Sequence, residues 1–374
     1  MFAAARNALP GGAHLNDGLS TAVAIDDTLW LTHDETLTVE RLRRVGQRDN
    51  DGRVQYAGHR QFALADFLAL PVRGGDGRGK RTPEADIEGL AFCDGYLWLT
   101  GSHAARRGDP EGGSAREAIE ALAKVSRAGN RYLLARIPLT RERNELVLRR
   151  RAIDGAERAT RVTRVAAMLA GDAKGNALTD ALGSDEHLAR YLAIPSKDNG
   201  FDVEGLAAAP GGRLFLGLRG PLLNGWACVL EVGVDVHRKH ADRLILRALD
   251  RADSSNRVYR KHFLDLAGAS VRDLCWHGRD LLILSGPPMR GAGPANVWRW
   301  RNALATRSER VLSREKLECV LSLPYREKHD HPEGMTLLPP AADGKRALLI
   351  VHDSAGGKRR IGRNGLLTDA HPID

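Results

Sequence analysis

Five copies of one short pattern recur along the chain, and this repeat constrains the fold more than any other feature. The segment from Ser20 (STAVAIDDTLWLT) aligns without a gap on the segment from Glu88 (EGLAFCDGYLWLT), and both end in Leu-Trp-Leu-Thr. Further copies begin at Glu204 (EGLAAAPGGRLFLGL), at Arg272 (RDLCWHGRDLLIL) and at Glu333 (EGMTLLPPAADGKRALLIV). Repeats of this kind indicate an array of equivalent structural units.

Each copy reads as two short apolar strands joined by a turn rich in Asp, Gly or Pro, which is typical of a β-hairpin. More polar, alternating stretches follow, such as LTVERLRRV after the first copy and YLLARIPL after the second. Apolar inner strands followed by half-exposed outer strands are typical of propeller blades. The sequence therefore predicts an all-β fold, a β-propeller, with residues 1–374 forming a single domain.

The number of blades stays open between five and six. The interval between the copies at Glu88 and Glu204 is nearly double the others, so residues 139–195 hold either a helical insertion or a degenerate sixth blade. The Ala and Leu spacing of VTRVAAMLAGD and LTDALGSDEHLARYLAI favours the helical insertion. Because the last copy leaves too few residues for four strands, we expect the N-terminal segment to close the last blade.

Composition excludes several classes of function. The net charge of +9 comes from 56 Lys and Arg against 47 Asp and Glu, but the short Arg clusters are scattered and poor in aromatic residues, which argues against nucleic-acid binding. The four cysteines form no C-x-x-C pair, which argues against a zinc site and favours reduced thiols in the cytoplasm. The N-terminal residues resemble no signal peptide, and no apolar run is long enough to span a membrane.

Two columns of polar residues carry the chemistry of the predicted site. Equivalent positions of the first strands converge around the axis of a propeller, so the opening column brings three carboxylates and an arginine together. It contains Ser20, Glu88, Glu204, Arg272 and Glu333, with Asp273 next to the arginine. The ends of the second strands lie beside these openings in antiparallel hairpins. They add Asp34, His103, Arg219 and Asp353.

We expect a polar mouth at one end of the central channel, and three interpretations compete for it. The carboxylates Glu88, Glu204 and Glu333 are candidate ligands for calcium or another divalent cation, which prefers oxygen ligands. The same three residues and His103 are candidate catalytic groups for hydrolysis. The third interpretation is a structural ring of ion pairs between blades, in which the Gly after each Glu allows close strand packing.

Several blocks together resemble a known bacterial family of propeller proteins, domain of unknown function 3616. They are DIEGLAFCDGYLWLTGSH, PSKDNGFDVEGLAAAPGGRLFLGLRGP, VRDLCWHGRDLLILSGP and HPEGMTLL. More distantly, the Asp-x-Glu-Gly opening is similar to that of the esterase-like phytase propellers, which implies calcium-assisted phosphoester hydrolysis. Arg272-Asp273 departs from that opening, and the acid-rich calcium clusters of such phytases are not evident.

The sequence thus predicts a cytoplasmic propeller that binds a small ligand or divalent cation at its mouth. The predicted ligand-binding residues are Asp34, Glu88, Lys197, Glu204, Arg219, Arg272, Asp273, Glu333 and Asp353. One alternative is a metal-dependent, phytase-like hydrolase of phosphoesters or lactones. Another is a protein-interaction scaffold, for which the partner is a protein rather than a small molecule.

Overall fold

Five antiparallel β-sheets, the blades of a propeller, make up most of the computed structural model. The structure describes residues 1–9, 12–46, 53–72, 84–155, 161–250, 257–289, 293–324, 329–341 and 344–373. Each blade begins with a strand near the central axis, here called its inner strand, and continues outward. Blades 1 to 5 follow one another in chain order, so each repeat of the sequence opens one blade.

The blades contain the following strands. Blade 1 has Thr21–Ile25, Thr28–Thr32, Thr38–Val45 and Gln55–Ala63. Blade 2 has Ile87–Cys93, Tyr96–Gly101 and Leu134–Glu142, with Glu145–Leu148 and Ala167–Leu169 along its outer edge. Blade 3 has Asp202–Ala209, Arg213–Gly220, Ala227–His237 and Tyr259–Leu264, edged by Arg310–Leu312. Blade 4 has Ser270–His277, Asp280–Gly286, Ala295–Trp300 and Glu318–Leu323, and blade 5 has His331–Leu337, Arg346–Asp353 and Asp369–Ile373.

Shorter elements connect or extend the blades. The α-helices are α1 (Ala4–Asn7), α2 (Ala115–Ala123) and α3 (Ala177–Leu182). The further strands are Arg106–Arg107, Val125–Ser126, Arg151–Asp154, Val162–Val165, His240–Leu246, Arg360–Ile361 and Gly365–Leu366. Turns of 3-10 helix are Leu15–Asp17, Leu64–Asp66, Gly129–Tyr132, Ala189–Tyr191, Ser196–Asp198, Ala303–Ala305, Arg314–Lys316 and Gly357–Arg359. No helix of the described residues is long and apolar enough to cross a membrane.

Burial falls from the centre outward, as the sequence pattern predicts. The inner strand of blade 3, Asp202–Ala209, is buried at every position. The outermost strand of blade 1, Gln55–Ala63, mixes exposed and buried positions. Inner strands are covered by neighbouring blades on both faces, whereas outer strands meet solvent, so the apolar runs of the repeats form the core.

The inner strands form a closed ring. Each contacts the inner strands of both neighbouring blades, and the ring closes where blade 5 meets blade 1. At this seam the Ala24 N–H donates to Thr336 Oγ1 at 2.9 Å. The predicted propeller fold is confirmed, and the described residues form five blades.

The segment 139–195 is less helical than its Ala and Leu spacing predicts. Helix α3 lies in it, capped by Asn176, whose side-chain oxygen accepts from the N–H groups of Leu178 and Thr179. Helix was the wrong prediction for Val162–Val165 and Ala167–Leu169, which are strands. Ala167–Leu169 pairs with Leu134–Glu142 in blade 2 and with His240–Leu246, so pairing partners supplied by the fold override local propensity.

The last blade differs from the expectation that the N-terminal segment closes it. Its third strand is Asp369–Ile373, from the other end of the chain. Residues near the N-terminus instead pack across the seam between blades 5 and 1. There the Leu19 N–H donates to the His352 carbonyl at 3.3 Å, and the Ala355 N–H donates to the Asp17 carbonyl at 3.0 Å.

Candidate functional site

A β-bulge lies at the opening position of four blades. The pairing between the first two strands shifts between Ile87 and Gly89 in blade 2, and at the equivalent places in blades 3, 4 and 5. The extra residues of these bulges are Glu88, Glu204, Arg272 and Glu333. A bulge re-aims the side chain of its extra residue. Blade 1 is different, because Thr21–Ile25 pairs with Thr28–Thr32 without a shift.

The glycine after three of these bulges permits close contact between inner strands. A Cβ on Gly89 would lie 2.6 Å from Leu206 Cβ, and a Cβ on Gly334 would lie 2.6 Å from Thr21 Cα. A Cβ on Gly205 would lie 3.0 Å from Asp273 Cα. Carbon atoms do not approach this closely, so the Glu-Gly pair of the repeat combines a bulge with a contact that only glycine allows.

Contacts between blades lie directly beside the bulges. Asp273 occupies the glycine position of blade 4, and Thr21 occupies that of blade 1. The Thr21 hydroxyl and Asp273 Oδ2 are 3.2 Å apart, while the N–H groups of Met335 and Leu274 donate to the Asp273 carboxyl. Burial raises the pKa of Asp273 well above its usual value. Asp273 therefore ties blades 4, 5 and 1 together, and its oxygens are engaged by protein groups instead of facing a ligand.

Two arginines link the bulged residues into a chain of buried ion pairs. Arg272 Nη1 lies 2.9 Å from Glu204 Oε2 and 3.4 Å from Glu333 Oε1. Arg219, from the end of the second strand of blade 3, lies 2.6 Å from Glu204 Oε1 and 2.5 Å from Asp202 Oδ2. Glu204 thus holds both arginines. We call the four bulged residues together with Arg219 the bulge ring.

Arg131 is a member of the same polar region that the sequence did not indicate. Its Nη2 lies 2.6 Å from Glu84 Oε1 and its Nη1 lies 3.1 Å from Asp86 Oδ2. Arg131 lies on the 3-10 turn Gly129–Tyr132, which belongs to neither column of the repeat. No signal in the repeat could have identified it, because its position depends on how that turn packs under the second strand of blade 2.

The carboxyl group of Glu88 forms no ion pair with either arginine of the bulge ring. Among the described residues, no hydrogen bond or salt bridge holds its carboxyl group. Burial raises its pKa well above the usual value, and the charges of Asp86, Glu204 and Glu333 raise it further. A carboxyl group in this state is available to an incoming partner, because it has no protein contact to give up.

Other carboxyl groups of the same polar region, among them Glu333 and Asp202, also have raised pKa values. Burial and the charge of Asp353 raise the pKa of Glu333 to about 8, although Arg272 acts in the opposite direction. Burial raises the pKa of Asp202 to about 7 against the opposing charge of Arg219. Near neutral pH these side chains are therefore partly protonated, and the ring can both donate and accept hydrogen bonds.

A cleft of about 590 Å³ opens between blades 5 and 1. Asp34 and Asp353, from the second column of the repeat, line it together with Gly18, His33 and other residues. The cleft lies within electrostatic reach of the ring, since the charge of Asp34 contributes to the raised pKa of Glu88 and that of Asp353 to the raised pKa of Glu333. The sequence predicted both aspartates but not the cleft.

His103 and Lys197 are placed differently from the other candidates. His103 is buried, with Nδ1 at 2.9 Å from the Gly101 carbonyl and Nε2 at 2.8 Å from Asn176 Nδ2. Burial lowers its pKa to about 4, so the ring is neutral and both nitrogens are used in linking blade 2 to the cap of α3. This environment does not favour proton transfer. Lys197 lies exposed on the turn Ser196–Asp198.

The arrangement gives little support to a metal site. In the part of the chain that the structure describes, no three His, Cys, Asp or Glu side chains are grouped so that they could hold a metal ion. Glu204, one of the three predicted metal ligands, is occupied by two arginines. Cationic side chains in that position compete with a metal for the same oxygens.

Solved structures resemble the chain distantly. The glutaminyl cyclase of Myxococcus xanthus is 8% identical, with 96% of this chain and 93% of that chain covered and a TM-score of 0.34. An oxidoreductase of Thermus thermophilus, described as a glucose dehydrogenase, is 13% identical, with coverages of 94% and 96% and a TM-score of 0.35. A mutant Trypanosoma rangeli sialidase is 10% identical, with coverages of 92% and 45% and a TM-score of 0.32. Identities this low carry no argument about activity.

None of the curated proteins matches the chain. The resemblance to phytases stays a prediction, since none of these comparisons bears on it. The family comparison is more direct, because its match extends from before the first inner strand into the last strand of blade 5. With the model for the family "Protein of unknown function (DUF3616)" matching residues 18–369, the chain belongs to that family.

Proposed function

We propose that this protein binds a small ligand at the bulge ring. The observation that carries the proposal is the repetition of one β-bulge in four blades, which directs Glu88, Glu204, Arg272 and Glu333 to one place. Bulges are over-represented beside functional sites, where they re-aim side chains. If the ring had only a structural role, we would expect all of its carboxyl groups to be paired, but that of Glu88 is not.

The energetics of the ring support the same proposal. Burying ion pairs is expensive, and well-packed apolar residues in their place are often equally or more stabilising. The raised pKa values of Glu88 and Glu333 indicate that the charged forms of these side chains are disfavoured in the folded protein. A ligand that interacts with the charged forms can offset this cost. An environment of this kind is typical of a binding site.

The test is a ligand screen by thermal shift. We expect at least one compound from a panel of amines, sugars, carboxylates, phosphates and divalent cations to raise the melting temperature of the wild-type protein. Glu204→Gln and Arg272→Gln should each abolish that shift. Glu186→Gln is the control, since Glu186 is 80% exposed and is not a member of the bulge ring. If no compound in the panel changes the melting temperature, or if the shift survives both ring variants, the proposal is wrong.

A hydrolase at the same ring is the second candidate function. The carboxyl group of Glu88 favours it, because burial and the neighbouring carboxylates raise its pKa, and a carboxyl group with a raised pKa is suited to give a proton to a leaving group. Phosphoester, carboxylester and lactone substrates, each with and without calcium, test this activity. Turnover that Glu88→Gln abolishes would support a hydrolase, and turnover unchanged in that variant would exclude the ring as its site.

We also propose a cytoplasmic location. The four cysteines are free in the structure, and Cys228 is buried in the core of blade 3. Thiols stay reduced in the cytoplasm. Fractionation of cells that produce the full-length protein would test this proposal.

A further inference from the structure

The charges of the polar mouth are distributed unevenly around the axis. In the part of the chain that the structure describes, three arginines of the mouth come from blades 2, 3 and 4, and each is held by two carboxylates. They are Arg131, Arg219 and Arg272. On the side of blade 1 and the second strand of blade 5, the structure instead brings Asp34 and Asp353 to the mouth. Glu88 forms no ion pair with an arginine of the described residues, and the charge of Asp34 contributes to its raised pKa.

The cleft between blades 5 and 1 opens on this acidic side. Its volume of about 590 Å³ is in the range of small-molecule sites and far exceeds the volume of one metal ion. Gly18 keeps it open, because a Cβ at this position would lie 2.6 Å from Asp353 Oδ1. Arg360 is the one arginine among the described residues that line it, and it is paired with Asp17 at 2.9 Å.

His33 supplies a hydrogen-bonding group in the wall of the cleft. Its side chain is only 7% exposed, and its Nδ1 lies 3.1 Å from both Asp34 Oδ1 and the Glu35 backbone nitrogen. No contact of the described residues occupies its Nε2. The ring is therefore fixed by one nitrogen while the other stays available to a molecule in the cleft.

We infer that the ligand carries an ammonium or guanidinium group, which enters through this cleft and lies between Glu88, Asp34 and Asp353. The inference rests on the proposed function and names its ligand class. A cation gains most on the side of the mouth where carboxylates have no arginine, whereas an anion would meet arginines that carboxylates already hold. The size of the cleft and the lack of a metal-ligand group among the described residues favour an organic cation.

Four compounds built on a four-carbon chain test the charge preference. We expect 1,4-diaminobutane to bind in isothermal titration calorimetry, and its guanidinium derivative agmatine to bind as well, whereas 1,4-butanediol and succinate should show no binding. Asp34→Asn and Glu88→Gln should each weaken binding of the diamine by about tenfold or more, since a hydrogen-bonded charge pair contributes on that scale. Gly18→Ala should weaken it by narrowing the cleft, while Glu186→Gln should leave it unchanged.

The outcomes separate this inference from the proposed function. If succinate or butanediol binds as tightly as the diamine, or if diamine binding survives both Asp34→Asn and Glu88→Gln, the inferred ligand class is wrong. If the amines fail to bind while another compound of the screening panel binds in a manner that requires Arg272, the ring is still a ligand site and only the inferred class fails. Far-UV circular dichroism of each variant checks that loss of binding is not loss of fold.

Discussion

Near neutral pH a large share of the Glu333 carboxyl groups is protonated, because burial and the charge of Asp353 raise the pKa of this residue to about 8 from 4.5. A pKa that is higher in the folded than in the unfolded chain stabilises the fold at low pH. That stabilisation is complete below pH 4.5 and is lost as the pH rises through 8. We expect Glu333→Gln to flatten the fall in the free energy of unfolding across this window. Urea unfolding at a series of pH values measures it.

The matched variant for this prediction is Glu186→Gln, whose side chain is largely exposed. It should leave the pH profile of stability as it is in the wild-type protein. An unchanged slope between pH 4.5 and 8 in Glu333→Gln would mean that Glu333 does not titrate in this range.

His103 should have the opposite dependence on pH. Its pKa is about 4 in the folded chain against 6.5 ordinarily, so the stabilisation that it provides is present above pH 6.5 and is lost as the pH falls towards 4. The difference corresponds to roughly 3 kcal/mol. We expect His103→Asn to reduce the loss of stability between pH 6.5 and 4, measured by urea unfolding. Asparagine suits the positive φ of 57° at this position, and the exposed His240 gives the control variant His240→Asn.

At the scale of the inner strands, the glycine that follows the bulge in blades 2, 3 and 5 predicts a loss of stability when it is replaced by alanine. Gly89→Ala places a Cβ 2.6 Å from Leu206 Cβ and 3.0 Å from the Leu206 backbone nitrogen, so two strands must separate. We expect it to lower the free energy of unfolding by about 1–3 kcal/mol, the usual cost of overpacking. Gly357→Ala is the control, since nothing lies within 4 Å of its Cβ. Equal stabilities of the two variants in chemical denaturation would contradict this account of the repeat.

The strands also show how much of the molecule could be predicted from the sequence. The two columns of the repeat identified Glu204, Arg219 and Arg272, which the structure brings together, because residues at equivalent positions of a cyclic repeat must meet near the axis. The two columns could not show that the side chain of His103 lies apart from this group. Its left-handed backbone turns it towards Asn176, which belongs to a segment outside the repeat.

Other features depend on contacts between distant parts of the chain. In the sequence, only the Glu-Gly pair indicates the bulges, and such a pair is equally compatible with strands that pair without a bulge. Arg131 and the cleft arise from loops that pack against blades, and Ala167–Leu169 forms a strand because Leu134–Glu142 and His240–Leu246 offer it edges. Local propensity favoured helix there, since it contains no information about those edges.

At the scale of the whole molecule, no blade of the described residues is assembled from both ends of the chain, and this predicts tolerance to circular permutation. The Phe2 N–H nevertheless donates to the Asn364 carbonyl at 2.8 Å, so the first residues pack against the segment that precedes the last strand. We expect a permutant with new ends at the exposed turn Ala267-Gly268, and the original ends joined by about ten Gly and Ser residues, to fold. Its circular dichroism spectrum and melting temperature should match those of the linear chain.

The control for this permutant is a second permutant, whose new ends lie between Leu274 and Cys275 inside an inner strand. That protein should fail to fold, because the cut divides a strand of the central ring. Failure of the first permutant, while the linear chain extended by the same linker folds, would show that closure at the seam requires the original connection between blades 3 and 4.

The Thr21–Asp273 contact joins blades 1 and 4 beside the bulge ring, and the Met335 N–H adds blade 5 to it. These three blades include both sides of the seam at which the ring of inner strands closes. Loss of this one carboxyl group would therefore weaken three blades at once, including the two that meet where the chain completes its circuit.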